Sequence, residues 1–182
     1  EPVPTEGWTQ INTWNFKESQ SDLGYYMVGY RGEEERDFSY DAERPWNPVE
    51  GRGLVPNVAW NRLTRNLTEG LTPGKTYRVD VAARDMTLSF AHGSYMWWDN
   101  LTWNKSEVTV TDPQIVSFEF TCGELSGEGY YFEVCPYTIA ETSYISKITL
   151  YEKNAAPQPE YVSPAPFGIE GGFNEYSVYE VS

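Results

Sequence analysis

The apolar and polar residues of this chain alternate with the period of a β-strand. From position 76 to 84, Tyr77, Val79, Val81 and Ala83 interleave with Arg78, Asp80, Ala82 and Arg84, which places one set on each face of an extended backbone. Met86, Leu88 and Phe90 then alternate with Thr87, Ser89 and Ala91. The same rhythm returns at 114–122, 130–135 and 144–151, with shorter runs at 8–16, 24–30, 55–63 and 107–111. No long window carries a helical period. Turn residues separate the runs: Thr72-Pro73-Gly74-Lys75, Asp112-Pro113 and the glycine-rich stretch 123–129. The pattern predicts about eight to ten short antiparallel strands and an all-β fold, a two-sheet antiparallel β-sandwich of jelly-roll type.

The apolar faces assign Trp14 and Trp60 to the core. Residues 31–53 mix Glu33-Glu34-Glu35 with Pro45-Trp46-Asn47-Pro48 and Gly51-Arg52-Gly53, which reads as a long loop. Residues 1–153 are expected to form the sandwich. Beyond it, Pro157, Pro159, Pro164 and Pro166 stiffen an extension over 154–182. Gly171-Gly172 then precedes a strand-like run at 174–182.

With 182 residues, 40% of them hydrophobic, the chain suffices for one core and not for two. Its 27 acidic and 13 basic residues give a formal charge of −14. That charge repels phosphate backbones and anionic lipid, so the chain is expected to bind neither nucleic acid nor an acidic membrane surface. No apolar run reaches the ~18–20 residues of a membrane span. The chain starts at Glu1, and Asn66, Asn100 and Asn104 each open an Asn-x-Ser/Thr sequon. Together these features point to an extracellular or cell-surface glycoprotein.

Cys122 and Cys135 flank a candidate hairpin, and an oxidising compartment would allow a disulfide between them. The alternation opposes it, because Cys122 follows Val116, Phe118 and Phe120 on one face while Cys135 falls opposite Tyr130, Phe132 and Val134. A bulge or a strand end at Pro136 would reconcile the two, and the pairing stays open at this level.

Catalytic signatures are missing. One histidine, His92, and two cysteines cannot assemble a four-ligand zinc site. A lone histidine at a strand end reads as a structural or surface residue. No nucleophile elbow, P-loop or dinucleotide fingerprint occurs. Carboxylate pairs are inevitable among 27 acids, so they do not argue for a glycosidase. The chain is expected to be non-catalytic and to need no cofactor. Structural calcium has candidate oxygens at Glu33–Glu35, Asp37, Asp99 and Asn100 but no loop motif to gather them.

Binding chemistry is more visible. Aromatic residues make up 16% of the chain, more than one core requires. Tyr95, Trp97, Trp98 and Trp103 crowd into one segment with Asp99, Asn100 and Asn104. Flat rings stack on the C–H faces of a pyranose, and carboxylate and amide groups bind its hydroxyls. In an extended backbone Trp97 and Trp98 face opposite ways, so one of them serves any given surface. Trp46, braced by Pro45 and Pro48, is a second exposed candidate. Glycan binding is therefore assigned to Trp97, Trp98, Trp103, Trp46, Tyr95, Asp99 and Asn100.

The stretch Leu71-Thr72-Pro73-Gly74-Lys75-Thr76-Tyr77-Arg78-Val79 resembles the L-x-P-G-K-T-Y strand of jelly-roll carbohydrate-binding modules. Tyr144-Ile145-Ser146-Lys147-Ile148-Thr149-Leu150-Tyr151 is similar to their closing strand, and Val58-Ala59-Trp60-Asn61-Arg62-Leu63 to the strand before the turn. The likeness covers residues 55–152 and implies a non-catalytic sandwich that binds a polysaccharide or other glycan. Where the family carries an acidic pair that helps hold calcium, this chain has Ser146-Lys147, so the resemblance does not extend to that metal.

A different class of function fits the extension: a structural subunit of an extracellular filament or surface layer, in which residues 174–182 enter the sheet of another copy.

Overall fold

Two long strands organise the molecule. β6 (Thr76–Gly93) and β9 (Tyr130–Lys153) run antiparallel from Tyr77 opposite Glu152 to Gly93 opposite Tyr131. The sequence shows each as two alternating runs, and the structure joins the runs through a corner. Register shifts at Ala82/Ala83, Arg84/Met86 and Thr87/Leu88 mark it, with residues 140–143 of β9 bulged out. Asp85 takes a left-handed φ of 52° there, a conformation that Asp tolerates better than most residues. Its backbone carbonyl accepts the Ser143 hydroxyl, and its carboxylate accepts that of Thr142. Ser143 Oγ in turn accepts the Ala140 N–H at 2.7 Å. These bonds fix the bend that turns one ribbon into two layers.

In the computed structural model, the residues described are 3–16, 27–28, 38–41, 53–56, 59, 63–67, 70–94, 102–125 and 129–160; for 27–28, 38–41 and 102–108 the description is of the backbone. The first layer runs β1 (Trp8–Asn15), the second half of β9, the first half of β6, then β8 (Gln114–Thr121). The second runs β2 (Met27–Val28), β5 (Leu63–Leu67), the first half of β9, the second half of β6, then β7 (Thr102–Val110). At the corner, β4 (Gly53–Pro56) meets β9 through Leu54 opposite Ile145 and pairs on its other side with β3 (Phe38–Asp41). Every pairing is antiparallel, and the expected all-β, two-sheet sandwich of jelly-roll type is what the chain adopts.

The core lies between the layers. Phe90 of the second stacks on Phe118 of the first at 5.2 Å and lies 5.7 Å from Phe120. Trp14 of β1 meets Phe132 edge-on at 6.0 Å. Burying such a ring contributes about 1.5–3 kcal/mol. Trp14 is buried, as expected; Trp60 lies outside the described residues.

The Pro-Gly turn behaves as its residues dictate. Lys75 N–H donates to Thr72 carbonyl at 3.1 Å, with Gly74 at φ +84°, the positive value that the third position of such a turn requires after proline. Buried Tyr77 accepts the Thr72 N–H at 2.8 Å on its hydroxyl, and so pins the turn to the strand it starts.

Several boundaries differ from expectation. The run at 55–63 divides into β4 and β5, and β7 starts earlier than the run at 107–111. β3 lies inside the stretch read as loop; at four residues it owes its existence to β4 rather than to local pattern. Residues 174–182 lie outside the described residues.

The disulfide that the sequence left open is not formed. Cys122 and Cys135 are both buried thiols. Cys122 belongs to the main core beside Phe120. Cys135 pairs with Ser89, in the alternate register to core residues Val134 and Phe90, so Cys122 lies in the core between the layers and Cys135 on the outer face of the second sheet. No strand end intervenes at Pro136, because β9 runs on through it.

One core position is over-polar. The buried Ser146 hydroxyl has no hydrogen-bond partner among the described residues, and an unmatched buried hydroxyl costs about 1–3 kcal/mol. Ser146→Ala is expected to raise stability by about 1 kcal/mol, seen as a higher urea midpoint at unchanged m-value; a lower midpoint would show that the hydroxyl is matched after all.

Candidate functional site

Strand pairing brings four chemically distinct residues into one row across the outer face of the second sheet. Trp103 of β7 stands opposite Ala91 of β6, Ala91 opposite Glu133 of β9, and Glu133 opposite Thr64 of β5. Directly opposed residues of antiparallel strands share a face. The next row holds Gly93, Tyr131 and Asn66, and on the other side Ser89 stands opposite Cys135. Along β6 this face is therefore Ser, Ala and Gly, small residues set beside Cys135, Glu133 and Tyr131 of the central strand β9.

The floor is polar and closed to solvent. Glu133 is 0% exposed, and its Oε1 accepts the Thr64 hydroxyl at 3.1 Å. Asn66 Nδ2 donates to the Tyr131 hydroxyl at 3.4 Å. The Asn66 carbonyl oxygen lies where a Cβ on Gly129 would sit, 2.5 Å away, so Gly129 leaves the space that this amide occupies.

Just below lies the histidine. His92 Nδ1 is 2.7 Å from the Tyr130 hydroxyl, which accepts the Gly123 N–H at 3.1 Å. A phenol that accepts the Gly123 N–H and donates to Nδ1 uses both its hydrogen-bonding functions, the arrangement open to the neutral imidazole protonated at Nε2. The ring lies 5.0 Å from Phe120 and 6.0 Å from Tyr130. Burial lowers the His92 pKa from its ordinary 6.5 and raises that of Tyr130.

Of the sequence-assigned glycan residues, Trp103 falls on the row just described. Tyr95, Trp97, Trp98, Asp99, Asn100 and Trp46 lie outside the described residues. Asn104 pairs with Phe90 in β7. The sequon residue Asn66 is half-buried, its amide engaged with Tyr131. Sequence reasoning passed over Glu133, Thr64 and Tyr131; a carboxylate alternating inside an apolar strand was the available signal.

The outer face of the first sheet is different. Arg78 lies between the rings of Trp8, 5.0 Å away, and Tyr151, 4.6 Å away. Beside it, Asp80, Ala82, Ile115, Lys147, Thr149 and Tyr151 line a hollow of about 30 Å³, room for one or two waters and too small for a sugar ring. Among the described residues no group of three or more His, Cys, Asp or Glu could hold a metal ion, and no helix is long and apolar enough to cross a membrane. The oxygens named for calcium lie outside the described residues.

No family model matches the sequence, and no curated protein is similar to it. Solved structures are similar in fold. The CBM22-1 xylan-binding domain from Paenibacillus barcinonensis Xyn10C superposes with a TM-score of 0.54 at 12% identity, over 81% of this chain and 97% of that one. The C-terminal family 22 carbohydrate-binding module of Clostridium thermocellum Xyn10B does so at 0.54 and 18%, over 87% and 100%. A cyclase from Fischerella sp. TAU shares the architecture at 0.51 and 10%, over 82% and 99%. The chain thus folds as an antiparallel β-sandwich of the kind seen in carbohydrate-binding modules.

Proposed function

We propose that this chain is a non-catalytic, extracellular carbohydrate-binding domain that takes a neutral polysaccharide at the β6–β7 end of its second sheet. The cross-strand row Trp103–Ala91–Glu133–Thr64 is the observation that carries this reading. It places a tryptophan on the strand β7, an alanine beside it, and a buried carboxylate braced by a hydroxyl. Next to it, Tyr131 and Asn66 add a phenol and an amide. The buried floor supplies rigidity, and the rings and amides of residues 95–103 supply stacking and hydroxyl recognition. The overall charge of −14 favours neutral chains over uronate-rich ones. Similarity of fold to a xylan-binding domain and to another carbohydrate-binding module supports the ligand class. The cyclase shows that the same sandwich also serves catalysis, so function here is argued from the site.

Calorimetry with xylohexaose, cello- and manno-oligosaccharides tests the reading. Trp103→Ala and Trp98→Ala should each weaken binding about 10- to 100-fold, the loss of one stacked ring, while Tyr131→Phe should weaken it less. Absence of binding to every neutral oligosaccharide, or full affinity in both Trp variants, would refute the site.

A further inference from the structure

His92 is the sole histidine of the chain, and it sits where the candidate site is anchored. Its neighbours Ala91 and Gly93 belong to the two rows of the outer face, and its hydrogen-bond partner Tyr130 adjoins Tyr131 on that face. The Tyr130 oxygen also holds Gly123, at the head of the segment that returns through Gly129 against Asn66. One phenol thus ties His92 of β6 and the Gly123 backbone to β9, and a neutral Nδ1 offers it an acceptor.

We propose that His92 is an acid-sensitive pin for the glycan site: neutral, it accepts the Tyr130 proton and holds the Gly93–Tyr131–Asn66 row in place; protonated, it releases that row and with it the ligand. This rests on the carbohydrate-binding reading above. A proton on Nδ1 would confront the phenol oxygen with two donors, Gly123 N–H and Nδ1–H, and leave the phenol's own hydrogen without its acceptor. Among the described residues, the rings packed on the imidazole are Phe90 of its own strand, Phe120 of β8 and Tyr130 of β9. Tyr130 and, beyond it, Cys122 are the titratable groups there, and both are neutral in mild acid. Among the described residues no carboxylate shifts the ring's titration; burial does.

The direction follows. The folded state resists a proton that the unfolded chain accepts near 6.5. The stabilisation is therefore complete above that pH and declines as pH falls towards the lowered folded value. Ordinary carboxylates titrate lower and thiols higher, which leaves this window to His92.

The full chain is titrated with xylohexaose at pH 7.5 and 5.5, and the His92 ring is followed by NMR over the same range. Wild type should lose affinity at pH 5.5 by several-fold and short of about tenfold, because the free form's pKa already lies below 6.5. The ring should start as the Nε2–H tautomer, and the Gly93, Gly123 and Tyr131 amides should move with its titration. In His92→Gln, which cannot take up the proton, affinity should be the same at both pH values. Equal acid loss in His92→Gln, or an imidazole that titrates without moving those amides, would overturn the pin. If no oligosaccharide binds at any pH, the carbohydrate reading fails, and the NMR titration still decides whether His92 controls the row.

Discussion

Gly53→Ala should cost at least about 3 kcal/mol and lower the urea midpoint beyond any surface substitution. Gly53 opens β4 at the corner, paired with Asp41 on one side and facing β9 on the other. A Cβ built on it would lie 2.5 Å from Cζ of Tyr144 and 2.7 Å from the Ile145 carbonyl oxygen. Neither can yield cheaply. The Tyr144 ring is fully buried over Ala82, and the Ile145 backbone belongs to the strand that carries both sheets. Trimming the ring with Tyr144→Leu should restore only part of the loss, because the carbonyl contact remains. A Gly53→Ala variant within about 1 kcal/mol of wild type would mean that β4 does not approach β9 this closely.

That contact shows which parts of the fold were written locally and which were not. Alternation in 76–84 separated Tyr77, Val79, Val81 and Ala83 from their neighbours, and all four are fully buried between the sheets. The Pro73-Gly74 turn was equally legible, since proline and a positive-φ glycine specify it without help. Gly53, by contrast, looked like loop punctuation. Its necessity comes from Tyr144, ninety-odd residues away, and no local pattern encodes that approach. β3 was missed for the same reason, being a short partner to β4.

The site divides along the same line. Trp103 stood out because a cluster of rings among amides is conspicuous in one dimension. Glu133 did not, since its significance lies in being opposite Ala91 and Thr64, a relation that exists only once β5, β6 and β9 are paired. His92 read as a lone structural residue; its link through Tyr130 to Gly123 exists only once β6 and β9 are paired. Cys122 and Cys135 show the converse. Their alternation argued against a bridge, and the faces they occupy uphold that argument over their closeness in sequence.

Asp80→Ala should be comparably destabilising, by about 3–5 kcal/mol, for an electrostatic reason. Alternation assigns Arg78 and Asp80 to an outer face, yet their side chains are only 5% and 8% exposed. Arg78 Nη2 donates to Asp80 Oδ2 at 3.1 Å, and its Nε is 2.9 Å from Oδ1. Nη1 donates to the Pro4 carbonyl at 2.9 Å, while Ser117 donates to Oδ1 at 2.7 Å. Removing the carboxylate strands a guanidinium between Trp8 and Tyr151 with its charge unmatched. Removing both charges does not. In Arg78→Met with Asp80→Leu, the thioether can lie between the two rings, and Pro4 and Ser117 turn to water, both being exposed. The double variant should therefore recover most of the stability lost in Asp80→Ala, because the pair repays a desolvation cost that apolar side chains never incur. Urea unfolding of the two variants beside wild type measures this. A double variant less stable than Asp80→Ala would mean that the ion pair itself, and not the stranded charge, holds the N-terminal segment to the sheet.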